Sequence, residues 1–215
     1  MSNSRKIASI AFTGAAAATM VGLNVAPAFA TGGTWTVTPH GKFTSASNSK
    51  TKATLHAGTA TLTCNSKTAF ASGSLRSKST VTPAHLGTIS KATFGSTAAT
   101  RCTLAGTLKF SAKLAKAAQL YGSTYTAGVT KGQLRSISAT ITGQSGFACA
   151  ATVKGKLPAS FNNTTHLLTI DASKKSSLSI TKVTGCAGQL KVGQKAYFTA
   201  TYNTGTLKNV TIVDP

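Results

Sequence analysis

The chain has 215 residues, of which 23 are Lys or Arg and only two, Asp171 and Asp214, are acidic. Most enzymes that split glycosidic bonds need two carboxylates in opposed roles, and Asp214 is the penultimate residue, where chains usually fray. The composition therefore disfavours such an enzyme and indicates a strongly basic protein that attracts polyanions.

The N-terminal segment has the pattern of an export signal. Arg5 and Lys6 precede an apolar stretch over residues 7–25, and Ala28-Phe29-Ala30 supplies the small residues of a cleavage site. We expect residues 1–30 to be removed after Sec export without a lipid anchor. No later stretch approaches the ~18 apolar residues of a spanning helix. The sequence thus predicts a secreted protein, extracellular or associated with the cell wall, that does not insert into membranes.

Four later segments alternate apolar and polar residues with a period of two, over residues 60–64, 108–114, 137–141 and 196–202. Such alternation gives a strand one buried and one wet face, as in antiparallel sheets. Gly, Ser and Asn cluster between these segments as turn signals. Residues 113–121 form either a short helix or an extension of the preceding strand. The pattern predicts an all-β fold, an antiparallel sandwich or barrel-like structure.

Four cysteines, Cys64, Cys102, Cys149 and Cys186, favour two disulfides in an exported chain. Three connectivities are possible. The intervals of 38 and 37 residues favour Cys64–Cys102 and Cys149–Cys186. A metal site is disfavoured, because the chain has no C-x-x-C motif and its four histidines lack ligand spacing.

The nearly equal cysteine intervals also suggest an internal duplication. Ile89-Ser90-Lys91-Ala92-Thr93 before Cys102 resembles Ile180-Thr181-Lys182-Val183-Thr184 before Cys186. This suggests two related β halves, residues 31–124 and 125–215, which could also form a single domain.

Several short elements occur in a fixed order along most of the chain. They are Trp35-x-Val37-x-Pro39, Leu62-x-Cys64, Gly87-x-Ile89 with Phe94, Leu157-Pro158, Gly185-Cys186 and Phe198-Thr199-Ala200-x-Tyr202. Together they resemble a group of uncharacterised secreted actinobacterial β proteins with paired cysteines. The resemblance implies an exported β protein and carries no activity.

Motifs for catalysis or for a cofactor are weak or missing in the sequence. Ser47-Asn48-Ser49-Lys50 matches S-x-x-K, but its partner motifs are lacking. A Ser-His-Asp triad would depend on Asp171, and His166 five residues earlier would face the other side of a strand. There is no G-x-G-x-x-G or P-loop motif. We expect a protein without catalytic residues or a cofactor.

The charge favours anionic partners. Removal of residues 1–30 leaves 21 basic against two acidic residues, a balance of +19. We select Lys109, Lys113, Lys154 and Lys156 as polyanion-binding residues, because Lys acts as a point charge suited to loose recognition of phosphate or carboxylate polymers. Wall teichoic polymers, other acidic envelope glycans and extracellular DNA fit this chemistry.

Sequence-specific nucleic-acid binding is not expected, because aromatic residues near the lysines are sparse. Trp35 is either exposed or a core residue. The alternative function is a structural or protein-interaction module of the cell surface, with edge lysines that block unwanted strand pairing. The sequence gives no indication of the oligomeric state.

Overall fold

The computed structural model describes residues 34–47, 53–57, 60–64, 69–81, 83–97, 102–104, 108–172 and 177–214. The predicted export signal and the S-x-x-K lysine lie outside these residues. Within Gly32–Pro215 the chain forms one compact unit.

Sixteen β-strands and a short 3-10 turn, Cys186–Gly188, make up the secondary structure of the described residues. The strands are β1 (Trp35–Thr38), β2 (Gly41–Ser47), β3 (Ala53–Ala57), β4 (Ala60–Cys64), β5 (Ala69–Leu75), β6 (Lys78–Ser79), β7 (Ala84–Phe94), β8 (Cys102–Leu104), β9 (Leu108–Lys116), β10 (Ala118–Thr126), β11 (Val129–Gln144), β12 (Cys149–Asn162), β13 (Leu167–Asp171), β14 (Leu178–Gly185), β15 (Lys195–Tyr202) and β16 (Thr211–Val213). All of the strand pairs are antiparallel. The predicted all-β, barrel-like fold is confirmed.

The period-two segments place their apolar residues inside, as predicted. On β4, Ala60, Leu62 and Cys64 are buried, whereas Thr61 and Thr63 are partly exposed. Residues 113–121 continue as strand through β9 and β10, so the strand alternative is the one that the structure adopts.

Eight strands form a closed ring in the order β3-β4-β8-β9-β11-β12-β14-β15, and β15 pairs again with β3. We call this the cystine ring, because both disulfides lie in it. Cys64 bonds Cys102 across β4 and β8, and Cys149 on β12 bonds Cys186 directly after β14. The predicted connectivity is confirmed.

A second ring shares β11, β12 and β15 with the first. Its order is β15-β13-β12-β11-β10-β7-β5-β2. It is closed by the loop after β15, because Thr206 N donates to Thr44 O (3.1 Å) and Thr44 N donates to Thr206 Oγ1 (3.0 Å). We call it the loop-closed ring.

A small sheet, β16-β1-β6, carries Trp35 into the core. Trp35 is 1% exposed, so it is a core residue. It packs against Gly122 of β10: a Cβ on that glycine would lie 3.0 Å from Trp35 Cζ3 and 2.8 Å from Leu86 Cδ1. The small sheet is therefore seated on the loop-closed ring.

Asn163 and His166, in the turn between β12 and β13, hold the C-terminal strand of this small sheet. The Asn163 amide donates to Ile212 O and accepts from Ile212 N, both at 2.9 Å. His166 Nδ1 lies 2.9 Å from Val210 O. Where β16 meets the loop-closed ring, these side-chain contacts take the place of a strand ladder.

Strands of both predicted halves make up the cystine ring: β3, β4, β8 and β9 fall within residues 31–124, and β11, β12, β14 and β15 within residues 125–215. The predicted boundary at 124/125 falls near the end of β10, just before the β10–β11 turn at residues 127–128. The relation between the halves stays a prediction.

Candidate functional site

The four lysines predicted to bind polyanions lie on two strands of the cystine ring. Lys109 and Lys113 are on β9, and Lys154 and Lys156 are on β12. Lys113, Lys154 and Lys156 are exposed, and Lys109 is partly buried. On both strands the neighbouring residues Phe110 and Val153 are buried, so the lysines belong to the outer face.

One row of the outer face carries a lysine at each end. Lys113 is opposite Thr140 on β11, Thr140 is opposite Thr152 on β12, and Thr152 is opposite Lys182 on β14. With strands about 4.8 Å apart, the two lysines stand about 14 Å from each other. Two threonines occupy the space between them.

The neighbouring row repeats the arrangement with three lysines. Its members, from β9 to β15, are Lys116, Ser138, Lys154, Ser179 and Lys195. Each serine separates two lysines, so successive lysines are about 10 Å apart.

Six lysines thus share one outer surface, which we call the lysine face: Lys113, Lys116, Lys154, Lys156, Lys182 and Lys195. All six are exposed. Lys156 follows Lys154 on the same side of β12, about 7 Å further along the strand.

Lys109 lies beyond the edge of this surface. It is four residues, about 13 Å, along β9 from Lys113, and it is opposite Gln144, six residues along β11 from the Ser138 that faces Lys154. Its side chain is partly buried, whereas the other three predicted lysines are exposed. The structure thus brings three of the four predicted lysines into the lysine face and leaves Lys109 at its margin.

One carboxylate borders the lysine face. Ile170 on β13 is opposite Ala159 on β12, which places the exposed Asp171 beside the end of the face that carries Lys156. A single acid against six ammonium groups leaves a strong positive field over this surface.

Sequence interpretation did not select Lys116, Lys182 and Lys195. Alternation shows that such residues face outward, but it does not give the register between strands that are far apart in sequence. The register of β9, β11, β12, β14 and β15 is what places these lysines in rows.

A second polar cluster lies on the outer side of the loop-closed ring, and nothing in the sequence indicated it. The rings of Tyr121 and His85 stack with centroids 5.1 Å apart, and the Arg135 guanidinium lies 4.4 Å from the centroid of Tyr121. The Tyr121 hydroxyl donates to Gln119 Oε1 at 3.1 Å. The cluster ties β7, β10 and β11 together.

Within the described ranges, no group of three or more His, Cys, Asp or Glu side chains could hold a metal ion. Two of the histidines have partners close in sequence: His56 Nδ1 lies 2.9 Å from Thr61 Oγ1, and His85 Nε2 lies 3.0 Å from Gly87 O. These contacts hold neighbouring strand residues together.

Comparisons with protein-family models, curated proteins and solved structures found no match. In the part of the chain that the structure describes, no helix has the length and apolar character needed to span a membrane.

Proposed function

We propose that this chain is an exported, disulfide-stabilised β protein that associates with anionic polymers of the cell envelope through the lysine face. The observation that carries the proposal is the pair of cross-strand rows in which Ser and Thr separate the lysines.

The spacing of the lysines favours a polymer over a small anion. Like charges directly opposite on neighbouring strands destabilise a sheet. Within each row one or two strands intervene, so successive lysines stand about 10–14 Å apart, further than the ~8 Å Debye length at physiological salt. Lys154 and Lys156 on β12 stand closer, about 7 Å apart, so repulsion is small along the rows and larger between them. A chain of repeated phosphates or carboxylates can reach several of these charges together and offset that repulsion.

The cystines and the predicted export signal support a location outside the cytosol, at the cell envelope. Disulfides persist in oxidising compartments outside the cytosol, and both pairs of cysteines are bonded. An envelope polymer is therefore the polyanion that the protein would meet first after export.

Retention on purified cell wall, measured with and without its teichoic polymers across a salt series, tests the proposal. Polymer binding by counterion release falls steeply with salt. We expect strong retention at low salt, loss at moderate salt, and little retention on stripped wall. Retention that changes neither with salt nor with removal of the teichoic polymers would instead favour the protein-interaction module.

A matched pair of variants tests the surface. Substitution of Lys113, Lys154 and Lys156 by Gln should lower the slope of log retention against log salt by on the order of one unit per lost contact. The control replaces three exposed lysines of other strands and loops, Lys42, Lys78 and Lys208. It removes the same charge and should change the slope much less. Equal losses in both variants would show that net charge, and not the lysine face, binds the polymer.

A further inference from the structure

Arg135 on β11 borders the lysine face at a β-bulge. The ladder between β11 and β12 shifts register between Leu134 and Ile137, so Arg135 and Ser136 together face Lys156. Ser136 has a positive φ of 57°, and such bulges re-aim side chains next to functional sites. Arg135 therefore lies one strand, about 4.8 Å, from an exposed member of the lysine face.

Contacts with β10 and with β11 itself hold the Arg135 side chain. Its guanidinium lies 4.4 Å from the centroid of the Tyr121 ring, and its Nε donates to Gln133 Oε1 at 3.4 Å. The stacking of His85 on Tyr121, with centroids 5.1 Å apart, supports the ring in turn. A guanidinium stacked on an aromatic ring is pre-organised, so it loses little freedom when its N–H fork binds an anion.

The hydrogen bonds inside this cluster use its acceptors and leave its donors. Gln133 Oε1 accepts from Arg135, and Gln119 Oε1 accepts from the Tyr121 hydroxyl at 3.1 Å. Among the described residues, the terminal nitrogens of Arg135 and the amide nitrogens of Gln119 and Gln133 have no further partner. These nitrogens can only donate. The cluster therefore fits a group that only accepts hydrogen bonds, which is an oxyanion.

The two positive charges at the bulge also favour an anion. Like charges opposite each other on neighbouring strands destabilise a sheet, and here Arg135 faces Lys156. Lys154 follows about 7 Å along β12. Both side chains at the bulge are long enough to reach one anionic group above it, and such a group offsets their repulsion.

The number and placement of the donors favour phosphate over carboxylate. A carboxylate has two oxygens in one plane, and a guanidinium fork binds both of them. A phosphate group is tetrahedral, so further oxygens lie outside the plane of the fork. The amide nitrogens of Gln119 and Gln133, on two neighbouring strands, and the ammonium of Lys156 supply donors for these oxygens.

We propose that Arg135, Gln119, Gln133 and Lys156, which we call the phosphate fork, bind a phosphate group and so select phosphate polymers over carboxylate polymers. The inference rests on the proposed function: the lysine face attracts any polyanion, and the phosphate fork decides the chemistry of its anionic group. Lysines alone give no such selection, because an ammonium is a point charge, whereas a guanidinium fork is directional.

A substitution that keeps the charge tests the fork. Poly(glycerol phosphate) and polygalacturonate of matched length are titrated into the purified protein by calorimetry at one salt concentration. Arg135→Lys should weaken binding of poly(glycerol phosphate) at least about tenfold and binding of polygalacturonate about threefold or less. The other lysines are the same in both proteins, so the change in the ratio of the two dissociation constants reports the fork. Equal losses for the two polymers would refute the selection of phosphate.

The control makes the same change at another arginine. Arg76 is exposed and follows β5, which is three strands from β11. Arg76→Lys should change neither dissociation constant more than about twofold. If Arg76→Lys and Arg135→Lys had the same effect, any arginine would serve, and the proposal would be wrong.

Tyr121 is a positioning residue in this proposal. Tyr121→Leu removes the ring beside the guanidinium and leaves every charge in place, so the preference for poly(glycerol phosphate) should fall while the slope of log affinity against log salt stays the same. Tyr121→Phe keeps the ring and should keep the ratio of dissociation constants within about twofold of the wild type. A Leu variant with the wild-type ratio would contradict the orienting role of the ring.

The lysine face and the phosphate fork fail in different ways in these titrations. Salt-sensitive binding of both polymers that Arg135→Lys does not change would leave the lysine face as the binding surface and overturn the fork alone. Absence of salt-sensitive binding to either polymer would overturn both.

Discussion

The cystine ring and the loop-closed ring share three strands but are closed by different means. Backbone ladders run all the way round the cystine ring, and two disulfides reinforce it. The loop-closed ring ends at β2, which pairs with β5 on one side; on its other side, among the described residues, β2 is joined to the loop after β15 by the pair of bonds between Thr44 and Thr206. An incompletely paired edge is a liability for further strand pairing, and the exposed Lys42 on β2 opposes it. One ring is therefore closed by a strand ladder and reinforced covalently, whereas the other is closed by one backbone and one side-chain hydrogen bond.

The two cystines act on the same layer of the barrel. Phe110 on β9 is opposite both Cys102 on β8 and Gly143 on β11. A Cβ on Gly143 would lie 3.1 Å from Cys149 Cβ. Phe110 is therefore buried between the two bridges, at the end of the cystine ring.

Removal of one cystine should give the largest loss. Cys64→Ala combined with Cys102→Ala opens a 38-residue loop, and the chain-entropy estimate for that loop is about 4 kcal/mol. We expect a loss of that size in the free energy of unfolding, measured by denaturant titration. A loss below about 1 kcal/mol would show that the ladders alone hold the cystine ring.

In the loop-closed ring the sensitive position is Asn163. Asn163→Ala leaves the N–H and the C=O of Ile212 without their partner, and we expect a loss of about 2–3 kcal/mol. Hydrogen exchange should report faster opening of β16 than of the cystine ring. The control is Asn162→Ala, because among the described residues Asn162 Oδ1 accepts only from Thr164 N and Thr165 N of its own turn. If both variants lose the same stability, the hydrogen bonds between Asn163 and Ile212 are not what holds the small sheet in place.

The sequence predicts the cystine ring better than the loop-closed ring for physical reasons. Alternation identified β4, β9, β11 and β15, because strands with one buried face leave a local period-two pattern, and the nearly equal intervals of 38 and 37 residues identified both bridges. The closure between Thr44 and Thr206 joins residues 162 positions apart. No local pattern marks such a contact, since Thr is abundant along the chain.

The lysine face, likewise, could be predicted from the sequence only in part. The outward direction of Lys113 and Lys154 follows from alternation along their strands. Their assembly with Lys182 and Lys195 depends on register between distant strands, which the sequence does not carry. The internal cavity of about 150 Å³ could not be predicted from the sequence, because inward-facing apolar residues have the same pattern whether the core is filled or hollow.

High pH should weaken the protein through Tyr202 of the loop-closed ring. Burial raises the pKa of its phenol above the ordinary 10.0, so the unfolded state loses its proton first. The stability is present in full below pH 10 and falls above it, by about 1.4 kcal/mol per pH unit. Tyr202→Phe removes the ionisable group and should flatten this alkaline loss in unfolding titrations between pH 9 and 11. An unchanged slope would mean that other groups cause the loss.

The smallest expected effect is a gain in the loop-closed ring. Thr130 is 3% exposed, and its Oγ1 has no hydrogen-bond partner among the described residues. A buried hydroxyl without a partner is destabilising, so the isosteric Thr130→Val should raise the free energy of unfolding by about 1 kcal/mol. The same change at the exposed Thr124 of β10 should leave it nearly unchanged. A loss at position 130 would reveal a partner for the hydroxyl, such as a water in the small space beside Gly132 and Phe161. A gain would show that one substitution in the buried interior of the loop-closed ring can raise the free energy of unfolding.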